Sequence, residues 1–449
     1  MTRQSTRRKF LASGAVVSGV AIAGCAEDPE EEPEEEPEEE EPDIEDEEEE
    51  EEPVEAQFPI DRVYSVDQLR TNCGTISHPD PDPEKFYLTA GAPSNREDGG
   101  VGEWYVLDTD SHLPIDEETD EAVADDEFET LDVARDLDGY DTHGFWFVEN
   151  DGERELWLLN RETDDGVVID PETDEVIDEI DDYGPAPDIM WSSPDDEYMF
   201  VTLRGPNPQS GDPHAAEGET PGVSVLDVES RDIVTTLEPD ADNDESDFHG
   251  IGVVPHDDDG YEVWALDQGT DIIYIYEPVD GDDEDDPEFE VVDEIDLHET
   301  EGVIEADDYV PHMADFSSDY EYAAIACTAG GQTLIFDVED HELVEALDTG
   351  PSSHFAGFTP DDEQILVDVI GDGAIQQVHV DLDDEEFELG ENIEILETAA
   401  VENHDDDFES ANPICHDHAG DYSYHTLGPG VDDSGLVVLN WAELGDHDE

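Results

Sequence analysis

Between His312 and His354 the apolar positions fall into four short runs: Met313 to Ser317, Tyr322 to Thr328, Gln332 to Asp337 and Glu342 to Leu347. Each run has the β-branched and aromatic content of a strand. Ser318-Asp319, Gly330-Gly331 and Glu339-Asp340 supply turn chemistry between them. The pattern predicts a four-stranded antiparallel meander that repeats about every 42 residues. A lone sheet of this kind cannot cover its own faces, so it must stack on copies of itself.

The turn after the first strand serves as a marker for the copies. Pro79-Asp80, Pro194-Asp195, Ser318-Asp319 and Pro360-Asp361 match it, with weaker copies at Glu149-Asn150, Pro255-His256 and Tyr422-Ser423, which makes seven units. The residue six places before each marker is predicted to lie just ahead of the innermost strand. In chain order this column reads Cys73, His143, Asp188, His249, His312, His354 and His416. The last unit stops one strand short, and Arg62-Val63-Tyr64-Ser65-Val66 is a spare strand that can complete it and close the ring. The expected fold is therefore all-β: a seven-bladed β-propeller spanning residues 58–449.

Ser193-Pro194-Asp195-Asp196-Glu197-Tyr198-Met199-Phe200-Val201-Thr202, followed by Gly222-Val223-Ser224-Val225-Leu226-Asp227-Val228, resembles the YVTN or YncE-like propeller repeat. Asp196 stands where many such repeats have a turn glycine, and Leu203 where the motif has Asn. The resemblance implies seven blades and an extracytoplasmic location, and it fixes no reaction.

Composition changes the picture at the N-terminus. Residues 1–25 carry Ser5-Thr6-Arg7-Arg8-Lys9-Phe10-Leu11 and then an uncharged stretch, the form of a twin-arginine export signal. Ile22-Ala23-Gly24-Cys25 resembles a lipobox, which makes Cys25 the expected lipidation site and the outer face of the cytoplasmic membrane the expected location. Residues 26–57, almost all Glu, Asp and Pro, are expected to be a disordered tether. The whole chain has 13 Lys+Arg against 135 Asp+Glu, a formal charge of −122, and it resembles haloarchaeal surface proteins. Such a chain repels itself until molar salt shortens the Debye length to about 3 Å. It has no basic patch for nucleic acid.

The column carries the candidate chemistry. Sixteen histidines in 449 residues do not explain five in seven equivalent positions by composition. Imidazole, thiolate and carboxylate are ligands for zinc or copper, and separate strands can aim them at one point. His249, His312, His354 and His416 are expected to share an ion, with His143, Cys73 and Asp188 at a second position. A histidine here could instead bond a loop carbonyl of the next blade. Cys73 and Cys415 begin neighbouring blades and could form a disulfide that removes Cys73 from any metal site, whereas Cys327 reads as a buried apolar residue. His214, His298, His404 and His418 are further candidates on the ringed face, with His256 and His341 expected exposed on the opposite one.

Three functions fit. The first is a monomeric, lipid-anchored metal-binding protein or metallochaperone, serving a metal transporter or another cell-surface protein; His354-Phe355-Ala356 and Gly373-Ala374-Ile375-Gln376-Gln377-Val378 resemble zinc-chaperone propellers. The second is a copper-dependent oxidoreductase, since nitrous oxide reductase also hangs copper from histidines at a propeller mouth. The third is a metal-free scaffold for a ligand or protein. The first is preferred, without a catalytic residue.

Overall fold

The computed structural model describes residues 58–444, apart from 66–68, 70, 72, 80–82, 91–101, 117–118, 120, 124–133, 138, 140, 206–219, 240–245, 257–259, 280–286, 383, 399–411 and 429–434. The signal, Cys25, the acidic tether, His214 and His404 lie outside the described residues. Those that are described build seven four-stranded antiparallel sheets. The unit between His312 and His354 contains strands Pro311–Phe316, Tyr322–Cys327, Gln332–Asp337 and Leu343–Leu347. The first strand of each blade packs against the first strands of its two neighbours, all the way round the ring. These are Thr75–Ser77, Thr142–Asn150, Pro187–Ser192, Phe248–Pro255, Pro311–Phe316, Ser353–Phe358 and Pro413–Ala419.

Ring closure follows the sequence expectation. Ile60–Tyr64 pairs with Gly435–Asn440 and supplies the fourth strand of the seventh blade. The first blade departs from it: a two-stranded hairpin, Ile115–Asp116 with Glu121–Ala122, intervenes before its short fourth strand, Arg135–Leu137. Apolar side chains from adjacent blades fill the spaces between sheets. Trp157 and Trp264 are fully buried, and their indole N–H groups donate to Glu155 and Glu262 of their own strands at 2.9 and 3.1 Å, which satisfies a donor that burial would otherwise strand.

The turn position that usually calls for glycine has a physical reason for aspartate. Asp196 and Asp362 adopt φ of 56° and 57°, a region Asp tolerates better than most residues. Each carboxylate reaches the preceding blade, where Asp196 Oδ2 accepts the Glu149 N–H at 3.1 Å and Asp362 Oδ1 accepts the Ser318 N–H at 2.9 Å. A glycine would turn equally well but could not join the blades.

His341 corrects the expectation of an exposed side chain. It is half-buried, with its two ring nitrogens near Glu262 and Asp293. Burial opposes its charge, but the bonds to Glu262 and then Asp293 outweigh burial and raise its pKa.

Candidate metal centre

A β-bulge sits at the start of the innermost strand in six blades. The register shifts between Thr142 and Phe145, Pro187 and Met190, Phe248 and Ile251, Pro311 and Met313, Ser353 and Phe355, and Pro413 and Cys415. His143, Asp188, His249, His312 and His354 are each the second residue of their strand and lie within the bulge. A bulge frees a residue from the ladder and re-aims its side chain. Gly250, after His249, allows the blades close enough for this, because a Cβ there would stand 2.5 Å from the His312 carbonyl oxygen.

The hydrogen bonds fix the protons on three of these rings. His249 Nδ1 lies 3.1 Å from the His312 carbonyl, and His354 Nδ1 lies 2.7 Å from the Ile414 carbonyl; a carbonyl only accepts, so each Nδ1 carries the proton. His312 Nδ1 lies 2.9 Å from Gln268 Oε1, and Gln268 donates its amide to Asp247 Oδ2 at 3.0 Å. A carboxylate cannot donate, which orients the amide with its oxygen toward His312. All three imidazoles therefore keep a lone pair on Nε2. The His312 and His354 Nε2 atoms are 2.8 Å apart, and the His249 and His312 rings stack with centroids 3.6 Å apart. Burial drives the pKa of His249 and His312 well below the usual value and that of His354 down to about 4, so the rings are neutral at neutral pH.

Asp188 joins the other side of the ring. Its Oδ1 is 2.7 Å from His143 Nε2 and its Oδ2 is 3.5 Å from His249 Nε2, 3.5 Å from Arg161 and 3.3 Å from Arg204. Burial works against the Asp188 charge, but His249, His143 and the two guanidinium groups outweigh it and hold the carboxyl well below its ordinary range. Arg161 also binds Asp141 at 2.6 Å, and Arg204 forms a bidentate pair with Asp247 at 2.9 and 3.0 Å. Two guanidinium groups thus meet three carboxylates, leaving one formal negative charge beside the histidines. His143, Asp188 and His249 present ligand atoms all within 4.8 Å of one another.

Two members of the predicted column lie elsewhere. Cys73 is joined to Cys415 in a disulfide, so neither offers a thiolate; the close approach of blades one and seven, with Cα atoms 5.3 Å apart, makes the bond possible. His416 sits two residues beyond the bulge, in a regular pair opposite His425, because Ile414 occupies the ring position of the seventh blade. His416 and His425 each direct Nδ1 at Asp368, both at 2.7 Å, while the Ser423 hydroxyl lies 2.8 Å from His425 Nε2. These contacts satisfy Asp368 without a cation. Ser423, His425 and Asp368 have the order of a hydrolytic triad, but all three are fully buried and none lines the channel cavity. Cys327 is buried, as expected. His298 is held by Asp271 at 2.9 Å, away from the ring.

The residues that support the ring carry a pattern of their own, separate from the column. Arg161, Arg204 and Gln268 each follow the second strand of consecutive blades. In a chain with 13 Lys+Arg, two arginines at equivalent positions were a readable signal.

Comparison with protein-family models gives no match, and neither does comparison with curated proteins. Solved structures give the fold. A Lactobacillus plantarum protein aligns at 14% identity and TM-score 0.52 over 76% of this chain and 88% of its own. A Bacteroides uniformis protein described as a candidate 6-phosphogluconolactonase aligns at 14% identity and TM-score 0.51 over 76% and 89%. At this identity the likeness concerns the propeller scaffold alone.

Proposed function

We propose that the channel ring binds a transition-metal ion, zinc or copper, through the Nε2 atoms of His249, His312 and His354, with His143 and Asp188 completing or flanking the site. The observation that carries this reading is the 2.8 Å approach of the His312 and His354 Nε2 atoms with both protons on the far nitrogens. Two neutral imidazoles that aim lone pairs at each other repel unless a cation or a proton lies between them. Burial disfavours the proton, and Zn–N bonds of about 2.0–2.1 Å need only a small widening of this gap. Each Nδ1–H is bonded to a carbonyl or amide oxygen, the arrangement that orients metal-ligating histidines and raises their basicity. The same bonds to His312 O and Ile414 O are also the blade-to-blade contacts that a metal-free ring would make, so the Nε2 side distinguishes the two readings.

The ring is the cargo or cofactor site of a YVTN-like, extracytoplasmic propeller, exported by the twin-arginine route and lipid-anchored through Cys25 in a salt-rich setting. A binding or delivery role to a membrane metal transporter is preferred. The lactonase named for the Bacteroides protein is not adopted: a phosphorylated sugar lactone would meet Asp141, Asp188 and Asp247 at the ring, where Arg161 and Arg204 are already paired. Elemental analysis of the domain, purified in molar salt and washed with a weak chelator, tests the proposal. One equivalent of zinc or copper, lost when His312 and His354 are both replaced by alanine in a protein of unchanged circular dichroism, is expected. Retention of the metal by that variant, or none in the wild type after incubation with zinc and copper(II), overturns it.

A further inference from the structure

Beyond the ring, a cavity of about 520 Å³ runs along the innermost strands from the Cys73–Cys415 disulfide to the turns at Pro79, Pro194 and Pro255. Trp146 and Trp191 form one wall, their rings tilted with centroids 4.4 Å apart and both half-buried because they face this space. Asp315, Asp417 and His416 line the cavity, and among its described lining residues there is neither Lys nor Arg.

Four polar groups there are built in but incompletely used, among them His418, whose two ring nitrogens are buried without a hydrogen-bond partner. Asp315 accepts the Phe358 N–H at 2.8 Å, and Asp417 accepts the N–H groups of Ser77 and His418, both at 2.7 Å. Each carboxyl group, once ionised, has about four acceptor sites, so both have capacity left, and a cation beside them favours the ionised form that burial alone disfavours. His416 is 3% exposed, and its Nε2 meets no hydrogen-bond partner. Its Nδ1 is engaged with Asp368, so in the neutral ring Nε2 is an acceptor. A Cβ at Gly357 would stand 2.8 Å from that Nε2, so glycine there leaves the atom open to the cavity.

We infer that this cavity binds an organic ammonium ion, a primary amine on an aromatic or apolar body. The ammonium group sits among Asp315, Asp417 and His416 Nε2, and the body lies against Trp146 and Trp191. The wall chemistry selects the class. Indole faces attract cations and apolar groups alike, carboxylates select positive charge, and a hydrogen-bond acceptor favours an ammonium with N–H donors over a quaternary one. The size matches that of small-molecule sites, and a charge pair inside the channel is screened by salt far less than one on the surface.

Calorimetric titration in molar potassium chloride tests this on the whole chain with four probes of one shape: phenethylamine, its N,N,N-trimethyl analogue, 2-phenylethanol and 3-phenylpropionate. Phenethylamine is expected to bind saturably, at least tenfold tighter than the alcohol and the carboxylate and severalfold tighter than the trimethyl ion. Equal binding of amine and alcohol, preference for the carboxylate, or no saturable binding of the amine overturns the inference. The probe comparison uses the wild-type protein and does not depend on a variant folding. In a second arm Asp315→Asn with Asp417→Asn should lose at least tenfold for phenethylamine while leaving 2-phenylethanol unchanged; an equal loss for both probes would overturn the assignment of these carboxylates.

Discussion

His312 Nε2 and His354 Nε2 face each other at 2.8 Å, each ring donating its Nδ1–H to an oxygen on its other side. The relationship depends on a chain of contacts that begins beside Asp188: Arg204 holds Asp247, Asp247 accepts the Gln268 amide, and Gln268 fixes the His312 tautomer.

Gln268→Leu is expected to weaken zinc binding roughly 10- to 100-fold, the usual effect of removing a partner that orients a metal-ligating histidine. Gln268 is a positioning residue; Gln268→Glu keeps the acceptor for His312 but loses the donor to Asp247, so it should restore only part of the affinity. Competition against a chromogenic chelator reads both. Wild-type affinity in Gln268→Leu would separate His312 from the metal.

The Cys73–Cys415 bond encloses 342 residues of sequence separation and joins the blades at ring closure. Replacing both cysteines with alanine should lower stability by roughly 3–5 kcal/mol, read from the urea transition with its slope fitted as well, because the unlinked unfolded chain exposes more surface. Metal stoichiometry should stay unchanged, because the disulfide sulfurs are not ligands. A fall in bound metal would return the cysteines to the site.

Burial raises the Asp315 carboxyl to about 7, against the pull of the Phe358 and Phe316 N–H groups. The folded state then keeps a proton that the unfolded chain has already released. The Asp315 contribution is therefore fully present below the ordinary carboxyl pKa and is lost as pH rises toward 7, at about 1.4 kcal/mol per pH unit at most. Asp315→Asn should flatten this part of the stability–pH profile. An unchanged slope between pH 4 and 7 would contradict the raised value.

A formal charge of −122 makes stability a function of salt. The melting temperature is expected to climb steeply between 0.1 and 1 M potassium chloride, as the Debye length falls from about 10 to about 3 Å, and to flatten above it. A salt-independent melting temperature would show that self-repulsion does not govern the fold.

Much of the architecture was legible because it is local. Turn residues such as Ser318-Asp319 and Gly330-Gly331 separate strands whose pairing follows from adjacency, and the spare strand expected at residues 62–66, observed at Ile60–Tyr64, was recognisable because the last unit lacks one. The ring was legible as a column wherever the marker turn kept its distance from the bulge. It slipped in the seventh blade, where Ile414 takes the bulged place and His416 lies two residues on, because a one-strand spacing rule cannot see where a bulge falls. Asp368 and His425 were hidden for another reason. They come from the second strands of different blades and meet only through blade-on-blade packing, which no local pattern records.

X-ray absorption at the metal K-edge, on the protein loaded with one equivalent of zinc, decides whether the histidine ring holds the metal. A nitrogen shell at about 2.0–2.1 Å is expected, with outer-shell scattering from at least three imidazole rings, lost when His312 and His354 are replaced by alanine. An oxygen-only shell, a sulfur shell, or a spectrum unaffected by those substitutions would contradict it.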